Sequence, residues 1–270
     1  MKKVVLITGA STGIGKETAI LLANKNYKVY AVARRLEKMK DLELIGVHIL
    51  SMDLADDAFI EQGIKYILTK EGQIDILVNN AGYGGYGAIE DVPISFAKDQ
   101  LQVNLFGAAR LIQLVLPQMR TNRFGKIVNV SSIGGKLATP FGGWYHASKF
   151  ALEALSDSLR NEVKPFGVDV IVIEPGGVKS EWASVTISNL IQNSKDSAYR
   201  SRIEKFVNFL YKTTEKNSEP SVIAKLILKG IESKRPRYRY VGGYNAVFAL
   251  IARKLLTDRL FDRILLGQMQ

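Results

Sequence analysis

Short apolar, β-branched runs alternate with helical stretches along the first two thirds of the chain, and this rhythm restricts the fold more than any other feature. The runs are "VVLI" at 4–7, "KVYAVA" at 28–33, "GVHIL" at 46–50, "DILV" at 75–78, "KIVNV" at 126–130 and "VDVIVI" at 168–173. Continuous apolar runs of that length suit strands buried on both faces, as in a parallel sheet. Helical stretches at 15–26, 57–70, 94–120 and 144–164 separate them. Parallel neighbours need crossovers, so the expected fold class is α/β, a doubly wound parallel sheet with helices on both faces. From 181 to 219 the rhythm stops and an insertion reads as polar and helical. A helix at 220–233, a strand at 237–242 and an amphipathic helix over 244–266 resume it. No repeat or linker divides the chain, so a single domain over 1–270 is expected.

Composition removes several classes of function. There is no cysteine, hence no disulfide or thiolate metal site, and the expected address is cytoplasmic. His48 and His146 lack metal-binding spacing, so no metal is expected. No apolar stretch approaches the roughly 20 residues of a membrane span. The net charge of +11 is uneven: residues 195–270 carry 16 Lys/Arg against 7 Asp/Glu, whereas residues 1–194 carry 21 against 19.

The first strand runs into "TGASTGIG", with Gly9, Gly13 and Gly15 at the mouth of the first helix. Glycines there let the backbone approach a pyrophosphate, and a helix N-terminus offers free N–H groups and partial positive charge. The spacing is G-x-x-x-G-x-G, which on its own also fits a tight turn without ligand. The second strand ends in "AVARR", where a nucleotide-binding sheet meets the adenosine ribose. Ala33 is small and Arg34 and Arg35 follow, which suits the 2′-phosphate of NADP(H) over NAD(H), Arg34 being preferred; two solvated arginines are the alternative.

Further motifs follow in order: "MDLAD" with Asp53 and Leu54, "NNAG" with Asn80, Ala81 and Gly82, "VNLFG" with Asn104, "VSSIGG" with Ser132, "YHASK" with Tyr145 and Lys149, and "PGGV" from Pro175. Over residues 1–180 this ordered set resembles the short-chain dehydrogenase/reductase family, with similarity to its hydroxysteroid- and retinol-dehydrogenase-like members. The resemblance implies a Rossmann-type fold and a proton relay. Tyr145 would exchange a proton with the reacting oxygen, Ser132 would hydrogen-bond that oxygen, Lys149 would hold the nicotinamide ribose and Asn104 would hold a relay water. It also implies that Gly9, Ser11, Thr12, Gly13, Ile14, Gly15, Asp53, Leu54, Asn80, Ala81, Gly82, Pro175, Gly176, Val178 and Ser180 line the cofactor, with Asp53 toward adenine and Ser180 toward the nicotinamide amide. Tyr145 and Lys149 stand at i and i+4, so the ammonium is expected to lower the phenol's pKa. Taken singly they also read as a helix-face aromatic and a solvated charge; the ordered motifs decide for catalysis. Asp53 is alternatively the cap of the helix that follows.

Tyr83, Tyr86, Leu137, Phe141, Trp144 and Trp182 fall in the segments expected to complete the pocket, which suits a hydrophobic alcohol or carbonyl. A ketoacyl-carrier-protein reductase and a non-catalytic NADP(H) sensor are the alternatives. In the last helix Phe248, Ile251, Leu255, Leu256, Leu260, Phe261 and Leu265 form an apolar stripe flanked by Arg253, Lys254, Arg259 and Arg263. Packing on the chain's own core or on a second subunit is preferred to peripheral membrane contact. The resemblance implies a homodimer or homotetramer, and no nucleic-acid partner is expected despite "KRPRYRY" at 234–240.

Overall fold

The computed structural model describes residues 2–194 and 196–267. In chain order its elements are β1 (Val4–Thr8), α1 (Gly13–Asn24), β2 (Lys28–Ala33), α2 (Lys40–Glu43), β3 (His48–Ser51), α3 (Asp57–Glu71), β4 (Ile76–Asn79), α4 (Ile94–Leu101) and α5 (Gly107–Thr121). They continue with β5 (Gly125–Val130), α6 (Gly143–Val163), β6 (Val168–Pro175), α7 (Glu181–Gln192), α8 (Arg200–Thr214), α9 (Pro220–Glu232), β7 (Arg239–Gly242), α10 (Ala246–Leu255) and α11 (Asp258–Gly267). The seven strands form one parallel sheet in the order β3-β2-β1-β4-β5-β6-β7, which is the Rossmann-type arrangement expected.

The two-residue period of the strands divides the core. Val5 and Ile7 of β1 face α1 and α9, meeting Ala19, Leu22, Ile223 and Ile227. Val4 and Leu6 point to the other layer, where Ile60, Ile64 and Ile67 of α3, Leu111 and Val115 of α5 and Leu159 of α6 cover them. Both faces are dry, which explains why each strand is an unbroken apolar run rather than an alternating one.

β1 has β2 on one side and β4 on the other, so the chain reverses its direction of winding there and opens a crevice at the strand C-termini. A buried polar ladder fixes α6 to the sheet beside it. Asn79 Nδ2 donates to Asn129 Oδ1 at 2.9 Å, Asn129 Nδ2 to Ser156 Oγ at 2.8 Å, and Ser156 Oγ to the Leu152 carbonyl at 2.6 Å.

Three elements differ from expectation. The stretch 94–120 is two α-helices joined by a π turn over Gln102–Phe106. The helix expected over 244–266 is broken at Leu256, whose backbone is extended (φ −90°, ψ 145°), and continues as α11. Only its start packs on the chain's own core, through buried Ala246 beside Gly176; α11 buries no residue, and Phe248, Ile251, Leu255 and Leu260 are exposed. Finally, Asp56 and not Asp53 caps α3, accepting from the Phe59 N–H at 3.0 Å.

Candidate active site

The glycine turn after β1 fits a dinucleotide phosphate. Gly9 (φ +66°) and Gly13 (φ +56°) are left-handed, a conformation that disfavours any side chain. A methyl group on Gly15 would lie 2.4 Å from the Gly9 carbonyl oxygen and 2.5 Å from Asn80 Nδ2, so the turn closes only with glycine there. Asn80 clasps the turn, donating from Nδ2 to the carbonyls of Thr8 (3.0 Å) and Gly9 (3.2 Å). Thr8 Oγ1 in turn accepts from the N–H groups of Asn80 and Ala81, both at 3.0 Å. Thr12 precedes α1 in extended geometry with no side-chain cap bond, and the first helical turn holds no acidic residue. Its N–H groups and positive end are therefore available to an anion.

The remaining cofactor-facing candidates ring this crevice. Asp53 Oδ1 accepts from the Ala55 N–H at 3.0 Å, and buried Leu54 packs where a methyl on Gly107 would sit, 2.7 Å from its Cβ. Past β6, Gly176 and Gly177 run beside Tyr244, and Val178 bridges Ser218. Ser180 Oγ caps α7 by accepting from the Trp182 N–H at 3.3 Å, and its Cβ lies 3.0 Å from where a methyl on Gly13 would stand. Arg34 is exposed with no carboxylate partner among the described residues, whereas Arg35 and Lys38 both pair with Glu181.

Ser132, Tyr145, Lys149 and Asn104 converge at the floor of the same crevice. Ser132 Oγ accepts from the Gly134 N–H at 3.0 Å and faces the Tyr145 hydroxyl. Lys149 is buried, with Nζ donating to the Val130 carbonyl at the end of β5, 2.8 Å away. Gly82 leaves room beside it: a methyl there would be 3.5 Å from Lys149 Nζ and 3.1 Å from Asn104 Oδ1. Asn104 is carried by the π turn and also donates to Ser148 Oγ at 3.1 Å, while Ser148 donates to the Tyr145 carbonyl at 2.7 Å. Single π turns widen a helix and re-aim one side chain, and here that side chain is Asn104.

Titration differs from the sequence expectation. Burial pushes the Tyr145 phenol up to about 12, and Ser132, not Lys149, is what draws it back. Burial brings the Lys149 ammonium down to about 8, against the attraction of Glu153 one turn along α6. The ammonium is turned to the Val130 carbonyl, so burial outweighs it at the phenol. At neutral pH the Tyr145 phenol is therefore un-ionised.

Of the aromatic residues expected at the substrate end, Tyr86, Phe141 and Trp182 gather over Tyr145. The Tyr86 and Trp182 rings lie 5.8 Å and 5.3 Å from that of Tyr145. Leu137 is buried nearby in sequence but outside this cluster, Trp144 is half-buried, and Tyr83 instead packs edge-on against Phe96 at 6.3 Å. Sequence reasoning missed the outer half of the cluster, Leu190, Ile203 and Phe206 from α7 and α8. Their helical spacing was visible in the insertion, but nothing local says that this face covers Tyr145. Also missed was a buried charge network beneath α6: Glu153 and Glu174 share Arg239 and Lys136.

A parallel sheet with a glycine turn open to an anion after β1, and with buried Tyr145 and Lys149 beside the half-buried Ser132 near its switch point, has the make-up of a Rossmann-type oxidoreductase. Comparison with known proteins agrees. A family model described as short chain dehydrogenase matches residues 3–189. A probable short-chain type dehydrogenase/reductase, VdlC of Helicobacter pylori, is 37% identical over 97% of this chain and 98% of its own. A 3-ketodihydrosphingosine reductase of Bacteroides thetaiotaomicron is 35% identical over 88% of this chain and 86% of its own. The crystal structure of a short-chain dehydrogenase from Streptomyces avermitilis matches at TM-score 0.83 and 30% identity, covering 97% of this chain and 94% of that one. The chain belongs to the short-chain dehydrogenase family.

Proposed function

We propose that this protein is an NADP(H)-dependent oxidoreductase that interconverts a hydrophobic ketone or aldehyde and its alcohol, with Tyr145 as the acid and base. The observation that carries the reading is the un-ionised Tyr145 phenol, set beside Ser132 and beneath Tyr86, Trp182 and Phe206. A protonated phenol can give its proton to a carbonyl oxygen as charge develops there, and Ser132 can hydrogen-bond the same oxygen. Lys149, charged through most of the neutral range, would hold a ribose hydroxyl and restore the Tyr145 proton, while Asn104 orders the segment from Tyr83 that borders the path. The nicotinamide cofactor, when bound, supplies or accepts the hydride.

Gly9, Ser11, Thr12, Gly13, Ile14 and Gly15 would hold its pyrophosphate, and Asp53 its adenine. Asn80, Ala81, Gly82, Pro175, Gly176, Val178 and Ser180 would line the way to the nicotinamide. Three cations, Arg34, Arg35 and Lys38, lie after β2, which favours a 2′-phosphate over a bare ribose. The aromatic cover favours an apolar substrate, and the Bacteroides relative, named as a reductase of a keto compound, points the same way. The exposed Phe150 on α6 and the uncovered apolar side of α10 support a homo-oligomer, and the lack of cysteine suits the cytoplasm.

The test is oxidation of NADPH, followed beside NADH, with aliphatic, aromatic and steroid-like ketones and aldehydes. Turnover with NADPH that improves with apolar surface is the expected result. Binding of NADPH with no ketone or aldehyde reduced would overturn the substrate class, and equal use of NADH would overturn the cofactor preference.

A further inference from the structure

Glu181, the first residue of α7, reaches across the crevice to the end of β2. Its Oε2 accepts from Arg35 Nη2 at 2.8 Å and its Oε1 from Lys38 Nζ at 2.5 Å. The same Arg35 nitrogen lies 3.4 Å from Ser11 Oγ in the glycine turn, so the clasp spans the mouth of the phosphate site. The two cations hold the Glu181 carboxyl below the usual carboxylate range. Neither Arg35 nor Lys38 has another carboxylate partner among the described residues. On the next position of the same helical turn, the Trp182 ring rests 5.3 Å from Tyr145 and 5.9 Å from Tyr86.

We infer that Glu181 is a latch: it occupies two of the three cations a cofactor 2′-phosphate would take, and its displacement frees α7 to lift Trp182 from Tyr145. The inference rests on the NADP(H) reading above. A phosphate monoester carries about 1.5 to 2 negative charges near neutral pH and three acceptor oxygens, so it outcompetes one carboxylate for Arg35 and Lys38. A cofactor with a free 2′-hydroxyl offers no such charge and leaves the clasp closed. Both pairs are part-exposed, and exposed ion pairs are individually weak, so the latch is exchangeable rather than locked. Displacing Glu181 costs part of the 2′-phosphate's affinity, and only a cofactor that carries this group opens the clasp and moves α7.

The chain has two tryptophans, so a Trp144→Phe background leaves Trp182 as the sole indole reporter. Adenosine 2′,5′-bisphosphate and AMP are titrated into this protein and into its Glu181→Gln derivative, following both affinity and Trp182 emission. The bisphosphate, and not AMP, is expected to shift the emission of the parent. In the Gln derivative the shift should be present before ligand is added, and the bisphosphate should bind about fivefold more tightly, with AMP unaltered. If the parent prefers the bisphosphate but Glu181→Gln changes neither affinity nor emission, the latch is wrong and the NADP(H) reading stands. If the parent does not distinguish the two nucleotides, both fall. Tighter bisphosphate binding with an unmoved Trp182 overturns the coupling to α7.

Discussion

Asn104 satisfies both backbone polar groups of Tyr83: its Oδ1 accepts from the Tyr83 N–H and its Nδ2 donates to the Tyr83 carbonyl, each at 3.0 Å. The segment that borders Tyr145 is thus held by a side chain projected from a π turn, with Gln100 of α4 adding a second bond to the Tyr83 carbonyl at 3.1 Å. Asn104→Ala leaves the Tyr83 N–H unpaired while the carbonyl keeps Gln100 Nε2 at 3.1 Å, which costs about 1 to 2 kcal/mol, and misplaces the segment, lowering turnover by about a hundredfold. Thermal unfolding and kcat on one ketone check this; an alanine variant with the parent's Tm and kcat would contradict it.

Lys149 sets a pH dependence. Its ammonium titrates at about 8 in the folded chain, below the ordinary 10.5, because of burial. Reduction should therefore hold steady below pH 8 and decline above it, with Tyr145, at about 12, contributing nothing in that range. For stability the sign is opposite. Between about 8 and 10.5 the unfolded chain binds more protons than the folded one, so stability rises with pH there. Lys149→Met is expected to melt above the parent at pH 7, with the margin shrinking toward pH 10. A margin constant across that range would refute the assignment.

Glu174 behaves in the reverse sense. Burial, reinforced by Glu153, raises its carboxyl to about 7, against the pull of Lys136 and Arg239. A raised acid stabilises the folded chain fully below the unfolded value of 4.5, and that contribution is lost as pH rises through 7. Glu174→Gln should match the parent at pH 5 and melt about 3 °C above it at pH 8. A variant less stable than the parent at pH 8 would show that Glu174 is needed there as an anion.

The clasp between Asn80 and the glycine turn gives a prediction for nucleotide binding. Gly15→Ala places a methyl 2.4 Å from the Gly9 carbonyl, so the turn must open. The affinity for NADPH should fall by about tenfold or more while circular dichroism shows the sheet intact. Unchanged affinity would mean that the turn is not the phosphate site.

The seven strands were legible because both faces of the sheet are dry, which leaves a continuous apolar run for each one. Ser132, Tyr145, Lys149 and Asn104 were legible as an ordered set of motifs. The raised phenol of Tyr145 was not, because its cause is burial beneath Tyr86, Trp182 and Phe206, which arrive from three separate segments. The π turn at Asn104 was hidden inside a stretch whose helical pattern runs on through it. The break at Leu256 was hidden in the same way, since the apolar stripe continues across it. Asp53 and Asp56 compete for one cap, and sequence offers no means of choosing between carboxylates three residues apart. The pairing of Glu153 with Arg239 joins residues 86 apart and leaves no local trace.

The proposed proton-donor role of Tyr145 is tested most directly by Tyr145→Phe, measuring NADPH affinity and single-turnover ketone reduction on the same preparation. The ring stays and only the hydroxyl is lost. Reduction should fall by a factor of about 10² to 10⁴ while NADPH affinity stays within about twofold. Reduction at the parent's rate by a variant that still binds NADPH would show that the proton comes from elsewhere.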